Sequence, residues 1–331
     1  MLRDGGGGMR RRVRRRGALR RGSRGRALGI WREVDYRYFA AVAVIKMKTL
    51  VRVLVLGAIA GGMLVDGRAQ EAVKSVAGVA WRLDTDGETP ALFHAKPGGG
   101  GWADVSPAAL SKMAKETPDP TFYEQNCAVC PLDKDHAWIA IDLGGRVVVD
   151  YTSSGGKTWV EKNGPPASES VSISFVDQSH GFALTARGSL GNHWEWVYET
   201  SDGGDDWKEM GSPTREGSSY YSDGIVFRTR LEGWITASYH GVPDAPLFHT
   251  VDGAKSWSLQ AFPIPEDYRG GYATTYPPSF FGENKMRGIL PVELVRHEPA
   301  PDHTATVDYE TDDGGATWHL PKTGVHSTNF N

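Results

Sequence analysis

The sequence predicts an all-β chain, a β-propeller of four-stranded blades, with five blades as the count and six or seven left open. Three observations lead there. One eight-residue pattern recurs four times at intervals near 50 residues, short runs of alternating polarity surround each copy, and helical periodicity is scarce. The copies are Thr152-Ser-Ser-Gly-Gly156-Lys-Thr-Trp159, Thr200-Ser-Asp202-Gly-Gly204-Asp-Asp-Trp207, Thr250-Val-Asp252-Gly-Ala254-Lys-Ser-Trp257 and Thr311-Asp-Asp313-Gly-Gly315-Ala-Thr-Trp318, with starts 48, 50 and 61 residues apart. Leu92-Phe93-His94 ahead of Trp102 repeats the offset of Leu247-Phe248-His249 ahead of Trp257, which suggests a fifth, degenerate copy. Repeats of this length built from several short strands are the signature of propeller blades.

Each element has a local reason. An Asp followed by small residues is a turn signal, because its carboxylate accepts hydrogen bonds from the amides just ahead. Glycine supplies the positive φ that such a turn needs. The Thr before and the Trp after the turn then sit where two antiparallel strands leave and re-enter it. The Trp there is an apolar plug for a neighbouring sheet. Val171–Phe175, Gly181–Leu184, Trp194–Tyr198 and Gly233–Ala237 alternate like half-buried strands bounded by turn residues. Pro107 to Lys115 alone reads as a helical turn or two. Five copies in the 262 residues from Gln70 to Asn331 give about 50 residues per blade. Two strands' worth of chain precedes Leu92, so the segment after Trp318 is expected to complete the first blade and close the ring.

Ser/Thr-x-Asp-x-Gly-x-x-Trp is the pattern of the Asp-box, or bacterial neuraminidase repeat. The chain resembles the Asp-box β-propellers, a group that includes sialidases, sortilin-type receptors and the photosystem II stability/assembly factors. The resemblance runs from near Ala80 to Trp318. It departs at Ser154 for Asp, at Ala254 for Gly and in the degraded first copy. In this family the boxes are structural. The resemblance therefore implies that Thr152, Trp159, Asp202, Gly204, Trp207, Asp252, Trp257, Asp313, Gly315 and Trp318 hold turns and carry no chemistry.

Charge divides the chain. Residues 1–69 hold 17 Lys/Arg and 4 Asp/Glu, and the remaining 262 hold 20 and 36, a balance of −16. An acidic body of that size argues against a nucleic-acid surface. Mean hydropathy of −0.40 and a single apolar run argue against a polytopic membrane protein. The first 46 residues, rich in Gly and Arg, read as a disordered extension; an over-extended start is preferred to a nucleic-acid or anionic-lipid arm. Residues 47–69 read as a signal peptide. Lys48 and Arg52 precede the 13 apolar residues Val53–Val65, too few to span a bilayer, and Gly67 and Ala69 mark a cleavage site. The expected location is periplasmic or secreted, with the membrane involved only in export. In that compartment Cys127-Ala-Val-Cys130 reads by default as a local disulfide of small stabilising effect, with free thiols or a redox or metal role as alternatives.

With the boxes structural, binding falls to the opposite rim, where blade-to-blade connections and second-to-third strand hairpins gather. Arg215, Glu216, Tyr220 and Tyr221 lie on one long loop there, and Asp267, Tyr268, Arg269 and Tyr272 on another. Such loops, rich in Tyr, Arg and carboxylates, are where binding residues concentrate. The expected function is a binding or assembly module for a protein segment or glycan, acting as a monomer without cofactor or metal. The alternative is a sialidase-like exo-glycoside hydrolase. The resemblance implies that this chemistry needs an arginine triad, a Tyr–Glu pair and an acid. Arg146, Arg187, Arg215, Arg228, Arg269, Arg287 and Arg296 are available, but the Arg-Ile-Pro motif is absent.

Overall fold

Five antiparallel sheets follow one another along the chain, each built from consecutive strands. The computed structural model describes residues 72–327 apart from 77–78, 86–88, 97–99, 118–119, 167–168, 190–191, 214–219, 240–245, 283, 297–302 and 323–325. All of these lie within the unit Val51–Asn331. The expectations for residues 1–46 and 47–69 lie outside the described residues.

Blade 1 is β1 (Ala72–Val76), β2 (Val79–Asp84), β3 (Ala91–Ala95) and β4 (Trp102–Asp104). Blade 2 is β5 (Cys127–Pro131), β6 (Ala137–Asp142), β7 (Val147–Thr152) and β8 (Val160–Asn163). Blade 3 is β9 (Ser170–Phe175), β10 (Gly181–Ser189), β11 (Asn192–Thr200) and β12 (Lys208–Glu209). Blade 4 is β13 (Tyr220–Phe227), β14 (Gly233–Tyr239), β15 (Leu247–Thr250) and β16 (Ser258–Leu259). In blade 5 the first strand is split into β17 (Tyr272–Thr275) and β18 (Ser279–Phe281), both pairing with β19 (Arg287–Arg296), followed by β20 (His303–Thr311) and β21 (His326–Ser327). The split has a chemical cause. Pro277-Pro278 can donate no ladder bonds, and Pro291 of β19 lacks its own N–H where Tyr276 N donates to its carbonyl at 3.0 Å.

The five-bladed all-β propeller expected from the repeat is the observed fold. The expected closure of blade 1 by the C-terminal segment is corrected, because β21 pairs with β20 inside blade 5. Two strands before Leu92 and two from it onward already make four, so blade 1 needs no donor. Helix α1 (Ala108–Glu116) confirms the one helical segment expected, and α2 (Pro120–Asn126) follows it unforeseen. Leu110, Met113 and Tyr123 of these helices fill the core between blades 1 and 2.

Four apolar cores lie between consecutive blades, from 1–2 to 4–5. The tryptophans join them at defined points. In blades 2 to 4 the box Trp reaches back to the end of the preceding blade. Trp159 Nε1 donates to Val105 O at 2.7 Å, Trp207 to Asn163 O at 2.9 Å and Trp257 to Gly211 O at 2.9 Å. Second-strand tryptophans reach forward, as in Trp138 Nε1 to Gly203 O at 3.1 Å. The last seam is built differently. Trp318 is 4% exposed and its Nε1 has no partner, while the Gln260 side chain takes over. Gln260 accepts from Trp234 Nε1 at 2.8 Å and donates to Gly315 O at 2.7 Å.

The expected disulfide is also corrected: both cysteines are free. Three residues apart on one strand, they project to opposite faces, which a disulfide cannot bridge. Cys127 Sγ lies 3.7 Å from Met113 Sδ in the blade 1–2 core, where burial pushes its thiol pKa far up. Cys130 Sγ accepts from Phe175 N at 3.1 Å across the next seam.

These seams give a graded expectation for denaturant unfolding. Trp318→Ala, which empties a buried site, should cost about 3–5 kcal/mol. Trp207→Phe and Trp257→Phe should each lose about 1 kcal/mol more than Trp318→Phe, since only the first two break an indole bond. Equal costs for the three Phe variants would contradict the assignment of the seams.

Candidate functional site

The four boxes spend their polar groups on their own turns. Thr200 Oγ1 donates to Asp202 Oδ1 at 2.8 Å and accepts from Gly204 N at 2.9 Å, while Asp202 Oδ1 accepts from the amides of Asp205 and Asp206, both at 3.0 Å. Thr250/Asp252 repeat this arrangement, and Thr311/Asp313 repeat it with Thr317 N as amide donor. In the second blade Ser154 stands in for Asp, its Oγ accepting from Thr158 N at 3.0 Å. Ala254 occupies the positive-φ position, φ 64°, in place of glycine. At the matching Gly315 a Cβ would meet the Trp234 ring at 2.5 Å, so only glycine fits there.

A second repeat, missed in the sequence, supports the boxes from below. Asp133-Lys-Asp-His136-Ala-Trp138 and Asp177-Gln-Ser-His180-Gly-Phe182 are first-to-second strand turns, and Thr229-Arg-Leu-Glu232-Gly-Trp234 is their counterpart. Asp133 Oδ1 accepts from the amides of Asp135 and His136, both at 2.8 Å, and from His136 Nδ1 at 2.8 Å. Asp177 does the same for Ser179 and His180. Burial opposes ionisation of Asp177, but the His180 side chain and these amides outweigh it and hold the carboxyl well below its usual range. Each turn then receives its box. Gly155, Gly203, Gly253 and Gly314 N donate to the carbonyls of Asp135, Ser179, Leu231 and Met286 at 2.9, 2.8, 2.9 and 2.7 Å. The spacing of Asp-x-x-His-(Ala/Gly)-(Trp/Phe), 44 residues from Asp133 to Asp177, was the readable signal.

On the opposite rim the proposed binding residues divide. Arg215 and Glu216 lie outside the described residues. Tyr220 is half-buried with its ring edge-on to Phe248 at 5.4 Å, and Tyr221 lies 4.9 Å from the His193 ring. Asp267, Tyr268 and Arg269 form one turn, in which Asp267 O accepts from Arg296 Nη1 at 2.6 Å and Arg269 lies 3.9 Å from Glu266. Tyr268 points inward, 8% exposed within the blade 4–5 core. Arg269 and Tyr272 remain exposed. Beside Tyr221 the sequence reading missed a buried polar group. Glu195 is fully buried, accepts from Ser222 Oγ, and lies 3.5 Å from His193 Nε2. Burial lowers the His193 pKa, with Glu169 partly offsetting it. The alternation Trp194-Glu195-Trp196-Val197 puts Glu195 on the face of Val197, which turns toward blade 4.

Comparison with known proteins adds to this geometry. The model of the photosynthesis system II assembly factor YCF48 family matches residues 157–263. Photosystem II assembly lipoprotein Ycf48 of Synechococcus sp. (strain CC9902) is 22% identical over 187 residues, 56% of this chain and 46% of its own length. This chain is an Asp-box β-propeller and a distant relative of Ycf48. It thus spans about half the length of that curated relative. Among solved structures, YCF48 bound to D1 peptide aligns over 60% of this chain and 83% of its own, at 14% identity and a TM-score of 0.30. The GH74 xyloglucanase of Xanthomonas campestris aligns over 75% of this chain and 37% of its own, at 14% identity and a TM-score of 0.43.

Apart from Arg82, which stacks over Phe93 and Trp102 within blade 1, the described arginines are divided between the rims. Arg228, Arg230 and Arg287 face Glu232, Asp177 and Asp312 on the box rim. Arg187, Arg269 and Arg296 hold Glu169, Glu266 and the Asp267 carbonyl on the loop rim, and Arg146 pairs with Glu161.

Acid titration should separate the boxes from the core. Hydrogen bonds from the Ser256 side chain and amide lower Asp252 to about 2. In Asp313, burial is outweighed by bonds from Thr317 and Thr311, again giving about 2. A depressed carboxyl pKa stabilises the fold above the free value near 4 and loses that contribution as pH falls toward 2. Asp150 has the opposite sign: burial, with Glu161 nearby, raises it to about 6. Its ionisation therefore weakens the fold as pH rises from about 4 through 6. Melting temperatures from pH 2 to pH 8 should show Asp252→Asn flattening the acid limb and Asp150→Asn gaining stability progressively from about pH 4 to 6 and keeping that gain above it. A full gain for Asp150→Asn already at pH 4 would contradict the second assignment.

Proposed function

We propose that this chain is an exported binding and assembly module that holds a segment of another protein on its loop rim. The observation that carries the reading is the division of labour between the rims. On the box side, the hydroxyls and carboxylates of the repeats are committed to backbone amides. On the loop side, Arg269 and Tyr272 stand exposed beside Glu266, Asp267 and Arg296. Planar guanidinium donors and amphipathic rings supply affinity at low entropic cost. The assembly-factor description of the matching family supports a polypeptide ligand in preference to a glycan. The described loop-rim arginines are each committed to a different partner, Arg146 to Glu161, Arg187 to Glu169, Arg269 to Glu266 and Arg296 to the Asp267 carbonyl, which supports binding over sialidase-like hydrolysis with its three arginines at one carboxylate. The apolar run Val53–Val65 and the lipoprotein name of the Synechococcus relative support export.

Panning a random peptide library against the purified chain tests this reading. Selected peptides should lose binding to Arg269→Ala/Tyr272→Ala by at least about tenfold while keeping it with Asp202→Ala in the folded state. Peptides that bind the rim variant undiminished and fail on the box variant would assign the faces the other way round.

A further inference from the structure

The box rim is not uniform around the propeller. The carbonyl that receives each box glycine belongs to Asp135, Ser179, Leu231 and Met286 in blades 2 to 5. That bond uses only backbone, so the side chain is unconstrained by the turn. Blades 2 and 3 place polar groups there, whereas blades 4 and 5 place Leu231, 59% exposed, and Met286, 39% exposed. The second box residue follows suit in blade 4, where Ser153 and Ser201 give way to Val251, 65% exposed. Phe281, at the end of β18 and opposite Arg287, completes the set. Of the seven large apolar side chains exposed among the described residues, four therefore gather in this one sector. Arg228 joins its halves, Nη1 lying 3.5 Å from Met286 Sδ.

Charge follows the same asymmetry. Lys255 and Lys285 are exposed in this sector, and among the described residues neither forms an ion pair. Arg287 lies 5.3 Å over the Phe281 ring. On the same rim blades 2 and 3 set six aspartates against Lys134 and Lys157, whereas among the described residues of blades 4 and 5 five basic side chains face Glu232, Asp252, Asp312 and Asp313. In a body with a balance of −16, this sector is where an anionic surface would meet least repulsion. Contacts that dominate protein interfaces sit in well-packed pockets. Here the apolar groups stand on separate hairpin turns with lysines between them, an arrangement that suits a fluid interface. We infer that the box rim of blades 4 and 5 is a peripheral membrane-docking face for an anionic lipid surface. Leu231, Val251, Phe281 and Met286 enter the headgroup region while Lys255 and Lys285 meet the lipid phosphates. No helix among the described residues is long and apolar enough to cross a bilayer. The face is independent of the loop rim and leaves that rim turned toward solvent.

The full chain carries Arg-rich residues 10–16, whose charge attracts anionic vesicles whatever the box rim does, so sedimentation is not a sufficient test. An environment-sensitive dye on Val251→Cys in a Cys130→Ser background reads insertion directly, with Val160→Cys on β8 as control. Vesicles of phosphatidylcholine with phosphatidylglycerol should shift the emission at 251 to the blue and leave 160 unchanged. Adding Leu231→Ser/Met286→Ser should abolish the shift at unaltered melting temperature. Lys255→Glu/Lys285→Glu should weaken partitioning by at least about tenfold. No shift at 251, or equal shifts at both positions, would overturn the proposal. So would a concentration-dependent dimer of the wild-type chain in sedimentation velocity that the Leu231→Ser/Met286→Ser change dissolves, since a second copy would then cover the face.

Discussion

The indole N–H that Trp159, Trp207 and Trp257 donate to the preceding blade is the bond on which this propeller depends. A four-stranded blade has two faces, and neither is buried until another blade lies against it. The box fixes the angle at which its Trp leaves the turn, and the turn is fixed in its own right by Thr and Asp side chains bonded to its amides. That Trp then meets a carbonyl just beyond or at the end of the previous blade's last strand, in three seams of the ring. Local turn chemistry and blade-to-blade registry are thus one device. The fourth seam makes the same connection with Gln260, leaving the Trp318 nitrogen unpartnered and its ring buried.

This coupling explains why the fold was legible in the sequence. A Thr, a carboxylate, a positive-φ residue and a Trp at fixed offsets define the turn and its neighbour together, so four full copies indicated blades and the degenerate fifth at Leu92–Trp102 brought the count to five. Ser154 departs from the pattern because a hydroxyl can accept the same amide, and Ala254 keeps the positive φ that glycine supplies elsewhere. Other features were less visible for physical reasons. Closure of the ring depends on which strand finds which edge, and β21 is a two-residue strand with no pattern of its own. The cysteines were judged by compartment, whereas strand pleating decided their fate.

The binding rim was the least legible part. Its residues are read from type and loop length, and neither reports burial. Tyr268 and Tyr272 have similar sequence surroundings, yet the first lies in a core and the second is exposed. Glu195 was hidden because a buried carboxylate breaks the expectation that charges face water, although strand alternation placed it correctly. The asymmetry of the box rim was hidden for a further reason. The repeats were read for what they share, while function on a repeat protein resides in positions the turn leaves unconstrained, such as Leu231, Val251 and Met286.

Hydrogen exchange in a Trp207→Ala chain tests the central claim most directly. Removing this ring should speed exchange in its own box in blade 3 and equally in Val160–Asn163, the last strand of blade 2, because that strand's final carbonyl loses its partner. Faster exchange confined to blade 3, with blade 2 protected as in the wild type, would contradict the account and make each blade an independent unit.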